Sequence, residues 1–239
     1  MFANFLSHLE EVRRRIFITL AVFGLAFIGG FFFAEPLLTF LLQPLKTFYT
    51  EGLVFQKPHE AFLIHVQVAI MAAIFFSSPV IFIQIWQFAA PGLYAHEKKT
   101  ALTLTLWSIG LFAAGVLFAY TAAIPCGLQF LLSFQSPNLK PLITAEEYFS
   151  FLIGMFAAFG VMFDFPVFII GAVRLGLVSS QTLAKSRRII ILIIFIAAAI
   201  LTPSPDPASQ ILLALPLLLL FEGALWFSRR IEKQSPVSH

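Results

Sequence analysis

Four stretches of this 239-residue chain run for about 20 residues or more with almost no charge: residues 16–34, 61–87, 101–124 and 148–173. A helix needs about 20 apolar residues to cross the hydrocarbon core. Lipid offers the backbone no hydrogen bonds, so a spanning segment must satisfy its own N–H and C=O groups. These runs therefore restrict the chain to an all-α membrane protein. The composition agrees, with 59% hydrophobic residues and 11% charged, where a soluble domain is about one quarter charged. Two shorter runs follow. Residues 189–201 hold 13 uncharged positions and residues 211–221 hold 11 before Glu222. Between them lie Pro203, Pro205 and Pro207, which remove backbone donors and predict a non-helical link over 202–210. So short a link makes the flanking segments antiparallel neighbours. The expected architecture is one domain over residues 1–239. It has six spans, near 16–34, 61–87, 101–124, 148–173, 189–201 and 211–226, and the last two helices are short.

Orientation follows from the basic residues, which gather in cytoplasmic loops. Alternate loops carry 12 and 3 of the 15 Lys and Arg. The richer set holds Arg13, Arg14, Arg15, Lys98, Lys99, Arg174, Lys185, Arg187, Arg188, Arg229, Arg230 and Lys233. This places both termini in the cytoplasm. The apolar run after Arg15 is about 19 residues long. A cleavable signal has an apolar core of roughly 7–15, so the run is expected to be retained as the first span.

Several chemistries find no support. The formal charge of +3 and the short basic clusters give no nucleic-acid footprint. Cys126 is the sole cysteine, so no disulfide can form within one chain. His96-Glu97-Lys98-Lys99-Thr100 opens like a zinc-protease helix but has Thr at the fifth position, where the second imidazole is needed. No phosphate-binding glycine loop or nucleophile elbow occurs. The expectation is a non-enzyme without cofactor or metal.

Three features remain. The first is the amphipathic start His8-Leu9-Glu10-Glu11-Val12-Arg13-Arg14-Arg15, where Glu11 and Arg15 are spaced to pair on a helix. The second is the stretch from Trp86 to Lys99, with Phe88, Tyr94 and Glu97; an ordinary aromatic belt at the membrane interface has similar composition. The third is Asp164, ten residues before Arg174 and thus roughly 15 Å deep. A carboxyl at that depth costs on the order of 3 kcal/mol and is a functional candidate by default. A protonated Asp bonded to a neighbouring helix is the alternative reading. Pro166 can kink the same span.

The motifs, in their order and topology, resemble the TatC family, the multi-spanning subunit of the twin-arginine protein translocase. The resemblance covers essentially the whole chain. It rests on His8-Leu9-Glu10-Glu11-Val12-Arg13, Gln43-Pro44-Leu45 and Phe88-Ala89-Ala90-Pro91-Gly92-Leu93-Tyr94-Ala95-His96-Glu97-Lys98. Phe163-Asp164-Phe165-Pro166 and the run from Leu201 to Gln210, which includes Thr202, Pro203, Ser204, Pro205 and Asp206, complete it. It implies a core receptor that recognises twin-arginine signal peptides of folded cargo at the cytoplasmic face of a bacterial inner membrane. It also implies assembly with the single-span subunits TatA and TatB and self-association in a larger complex. Glu11, Arg13, Phe88 and Glu97 match positions that shape signal-peptide binding. Thr202 and Gln210 match a contact for partner subunits. Pro44, Asp164 and Asp206 match positions associated with transport. Two departures stand out. The fourth-span acid is often Glu in the family and is Asp164 here, and His59 stands where Thr is common.

The residues lend separate support. Two guanidiniums are best held by carboxylates in fork geometry, which Lys cannot copy, and Glu11 and Glu97 both fall on the expected cytoplasmic side. A secondary transporter with Asp164 as its ion site is one rival reading, and a structural scaffold is another. A lone deep acid and the lack of a visible internal repeat weigh against the first, and the rim carboxylates weigh against the second.

Overall fold

The computed structural model describes residues 2–49, 52–89, 98–136, 141–174, 178–201 and 207–234. Every regular element among them is helical: α1 (Phe2–Phe32), α2 (Ala34–Leu41), α3 (Gln43–Lys46), α4 (Glu60–Ala89), α5 (Lys98–Phe118), a π-helical turn (Ala119–Ala123), α6 (Ile124–Leu132), α7 (Ala145–Arg174), α8 (Ser180–Lys185), α9 (Arg187–Leu201) and α10 (Pro207–Gln234). Four segments are long and apolar enough to cross a membrane: Glu10–Phe32, Glu60–Phe88, Leu102–Leu132 and Ala145–Arg174. The 15 residues of α9 reach only about 22 Å at 1.5 Å per residue.

Prolines explain where helix ends differ from the sequence expectation. The third apolar segment continues past 124 to Leu132, through Pro125. Proline is tolerated in the first turn of a helix, and the π turn just before α6 takes up the change of register. The link expected to be non-helical over 202–210 becomes helical at Pro207, which starts α10 in the same tolerated position; residues 202–206 lie outside the described residues. The last helix is also not short. It has 28 residues, because Glu222 ends the apolar run without ending the helix and is paired with Arg187 at the start of α9. Inside α4, Pro79 cannot donate to the carbonyl of Phe75. The hydroxyl of Ser78 donates to that oxygen instead, at 2.7 Å.

The chain forms two compact units. The first contains residues 1–43, 51–109 and 143–149. Here α1 lies against α4. Gly30 permits the approach, since a Cβ there would stand 3.0 Å from that of Ala72 and 3.1 Å from the carbonyl oxygen of Ala69. Phe31 meets Phe62 edge-on at 6.3 Å. The buried Trp86 indole donates to the Ser108 hydroxyl at 3.0 Å and ties α4 to α5.

A cap closes one end of this unit. Val54 N–H donates to the Ile143 carbonyl at 3.3 Å, and Ala145 N–H donates to the Val54 carbonyl at 2.9 Å. The carboxylate of Glu60, at 3% exposure, accepts from Gln56 N–H (2.7 Å), Lys57 N–H (3.3 Å) and Glu146 N–H (3.1 Å). One side chain thus holds two amides of the loop that leads into α4 and one in the first turn of α7, an amide that a helix leaves without a partner of its own. Tyr148 completes the cap by donating to the Leu41 carbonyl at 2.7 Å.

The second unit contains residues 44–50, 110–142 and 150–239. Its α5 and α7 segments meet through glycine. A Cβ on Gly115 would stand 2.4 Å from the Phe159 carbonyl oxygen, and one on Gly160 would stand 2.6 Å from the Phe112 ring. Small residues at such contacts let membrane helices approach closely without any hydrophobic drive. Phe118 packs on Phe159 and Phe163 at 5.3 and 5.5 Å. Helices α8, α9 and α10 pack together in this unit.

Candidate functional site

The C-terminal turn of α4 leaves carbonyl oxygens without helical donors, and these carry the negative end of the helix dipole. No basic residue lies in that turn. The cation comes from α1. Arg15 is four residues from Glu11, and both side chains reach the same end of α4. Arg15 Nη1 donates to Gln84 Oε1 at 3.1 Å, to Gln87 Oε1 at 3.2 Å and to the Gln84 carbonyl at 3.4 Å. Its Nη2 donates to the Gln87 carbonyl at 3.2 Å and to Glu11 Oε1, which also accepts from Nε at 3.2 Å. Five oxygens from three residues therefore surround one guanidinium. Its side chain is 18% exposed and that of Glu11 is 36% exposed.

Near this basket, Arg13 is exposed and Phe88, one residue beyond Gln87, is 41% exposed. Glu97 lies outside the described residues. The structure thus brings Glu11 to the end of α4 that carries Phe88. Gln84 and Gln87 were not among the positions expected from the sequence. The available signal was two glutamines three apart near the end of a helix whose last turn lacks its usual cation.

The other expected positions fall in the second unit. Asp164 is 1% exposed in the middle of α7. Its Oδ1 is buried without a hydrogen-bond partner among the described residues. Pro44 is buried in α3. Gln210, in the first turn of α10, donates its amide to the Phe195 carbonyl of α9 at 2.8 Å and so clips the two helices together. Thr202 and Asp206 lie outside the described residues. No group of three or more His, Cys, Asp or Glu able to hold a metal occurs among the described residues.

Comparison with known proteins gives a consistent answer. Residues 7–216 match the family model described as "Sec-independent protein translocase protein (TatC)". The chain is 37% identical to the Sec-independent protein translocase protein TatC of Magnetococcus marinus, over 97% of this chain and 86% of that protein. It is 36% identical to the protein of the same name from Carboxydothermus hydrogenoformans, over 95% of this chain and 93% of that protein. Two crystal structures described as the twin arginine translocase receptor TatC superpose with TM-scores of 0.83 and 0.81, each at 34% identity. They cover 92% and 93% of this chain, and the matches take in 99% and 98% of those chains.

Proposed function

Because the chain belongs to the TatC family of Sec-independent protein translocase proteins, we propose that it is the receptor subunit of a twin-arginine translocase in a bacterial inner membrane. It spans the bilayer six times, with α9 and α10 as the fifth and sixth spans and both termini in the cytoplasm. It binds the signal peptides of folded cargo and assembles with TatA- and TatB-type single-span subunits and with further copies of itself. Glu11, Arg13, Phe88 and Glu97 shape the signal-peptide site. Thr202 and Gln210 serve contact with the partner subunits, while Pro44, Asp164 and Asp206 serve transport. The protein moves cargo and carries out no covalent chemistry.

One observation carries this reading: the end of α4 together with Glu11 already surrounds a guanidinium with five acceptor oxygens that engage Nε and both terminal nitrogens. A surface that accepts one arginine in this way suits a ligand defined by two. Glu97 supplies the main carboxylate for one ligand arginine, and Glu11 contributes to the other in competition with Arg15. A charge-assisted bidentate bond is worth roughly 1.5–3 kcal/mol. Removing it lowers affinity about ten- to a hundred-fold. Glu97→Gln keeps the size of the side chain and removes the charge, so it is expected to weaken binding of a twin-arginine peptide by that factor. Glu11→Gln is expected to do less. The check is the affinity of the purified protein for a twin-arginine peptide and for its twin-lysine copy. Equal binding by Glu97→Gln and the native protein, with no preference for arginine over lysine, removes this assignment.

A further inference from the structure

The Arg15 basket has the geometry of a binding site whose ligand is part of the chain. We propose that Arg15 is an internal ligand, and that a guanidinium of the bound signal segment enters the oxygens of Glu11, Gln84 and Gln87 by displacing it. The inference rests on the receptor reading above and adds a competitor to it.

Four features support exchange over a permanent staple between α1 and α4. First, the acceptors are reachable. Gln87 is exposed, and more than a third of the Glu11 side chain is open. Second, α1 and α4 do not depend on Arg15 for their packing, since Gly30 against Ala69 and Ala72 and Phe31 against Phe62 join them elsewhere. Third, the released side chain has a low-cost destination. It stands near the N-terminal end of α1, where Arg13 and Arg14 are exposed, and a long basic side chain there extends readily into water, which screens it from those neighbours. Fourth, replacing one guanidinium by another restores every bond, so no oxygen is left unsatisfied at the end of the exchange. A lysine cannot do this, because its ammonium has three donors and no planar fork. Selection for arginine then comes from the acceptor geometry that Arg15 displays. Arg15 lowers apparent affinity by the fraction of time it holds the basket and penalises ligands that cannot replace it.

Two measurements on the full-length protein in nanodiscs test the exchange. In the native protein, an arginine-specific dicarbonyl reagent followed by mass spectrometry reads the reactivity of Arg15. Arg15 is expected to be protected alone, to become reactive with saturating twin-arginine peptide, and to stay protected with the twin-lysine copy. The second measurement is peptide affinity of Arg15→Lys, which keeps the charge and weakens the internal grip. It is expected to bind the twin-arginine peptide about three- to ten-fold more tightly, as relief of a competitor that holds the site most of the time. Continued protection of Arg15 in the peptide complex overturns the proposal, as does unchanged or weaker binding by a folded Arg15→Lys protein. If the variant does not fold, the labelling of the native protein decides alone. Failure of the native protein to prefer the twin-arginine peptide overturns the receptor reading together with the exchange. Preference for arginine with Arg15 still protected overturns only the exchange.

Discussion

At the residue scale, Asp164 offers a direct test of its proposed part in transport. It is buried in a long apolar helix, and its Oδ1 has no hydrogen-bond partner among the described residues. Replacing an unsatisfied polar group by an apolar one of similar shape is close to neutral or stabilising. Asp164→Leu is therefore expected to leave thermal stability unchanged or to raise it, by up to about 3 kcal/mol on insertion scales, while export of a twin-arginine cargo falls. Thermal unfolding in detergent and an export assay check both halves. Normal export with a lowered melting temperature removes Asp164 from the transport machinery. Asp164 was legible in the sequence because one charge inside a long apolar run needs no three-dimensional information. Of the Arg15 basket, the pair with Glu11 was legible from its spacing, but the glutamines were not, since they lie 69 and 72 residues away and converge on Arg15 only through the register of α1 on α4. Glu60 was hidden for a similar reason. At the edge of an apolar run it reads as a boundary charge, and one of its three amides comes from 86 residues away.

At the scale of elements, helix contacts are set by where backbones can touch. Gly115→Ala places a methyl group 2.4 Å from the Phe159 carbonyl oxygen, where no side-chain rotation relieves the clash. The expected cost is about 1–3 kcal/mol, typical of overpacking, read as a lower melting temperature. Gly24→Ala is the control. Nothing lies within 4 Å of its Cβ position, and a mid-helix alanine is favoured over glycine by roughly 1 kcal/mol. Equal behaviour of the two variants contradicts the close approach of α5 and α7. The helices themselves were legible because lipid demands contiguous apolar residues. Their ends were less so, as at Pro207, which was expected to lie in a non-helical link. Pro125 sits in the first turn of α6, Pro207 opens α10, and the carbonyl that Pro79 leaves without a donor is taken by Ser78, so none of the three stops its helix. The sequence shows where a donor is missing, but the replacement is visible only in the folded chain.

At the scale of the whole molecule, orientation is the property to test. The bias of basic residues places 55 and 134 outside and 179 and 239 inside. With Cys126 replaced by serine, single cysteines at these four positions give a direct map. A membrane-impermeant maleimide added to intact cells is expected to label 55 and 134, and to reach 179 and 239 only after permeabilisation. Labelling of 239 from outside would leave an odd number of spans and remove the six-span arrangement. The cap around Glu60 carries a further consequence, which concerns time. Its partners on α4 and α7 are separated by 86 positions, and closing so long a loop has an entropic cost that is met before the contact forms. A chain growing from its N-terminus completes α4 well before Thr144 and Glu146 exist. During that interval Glu60 has only Gln56 and Lys57 to hold, and the 52–59 segment lacks Ile143 and Ala145 to pair with. The cap is thus a late event in biosynthesis, and a nascent chain stalled at residue 142 lacks the Ile143, Ala145 and Glu146 backbone groups that close it.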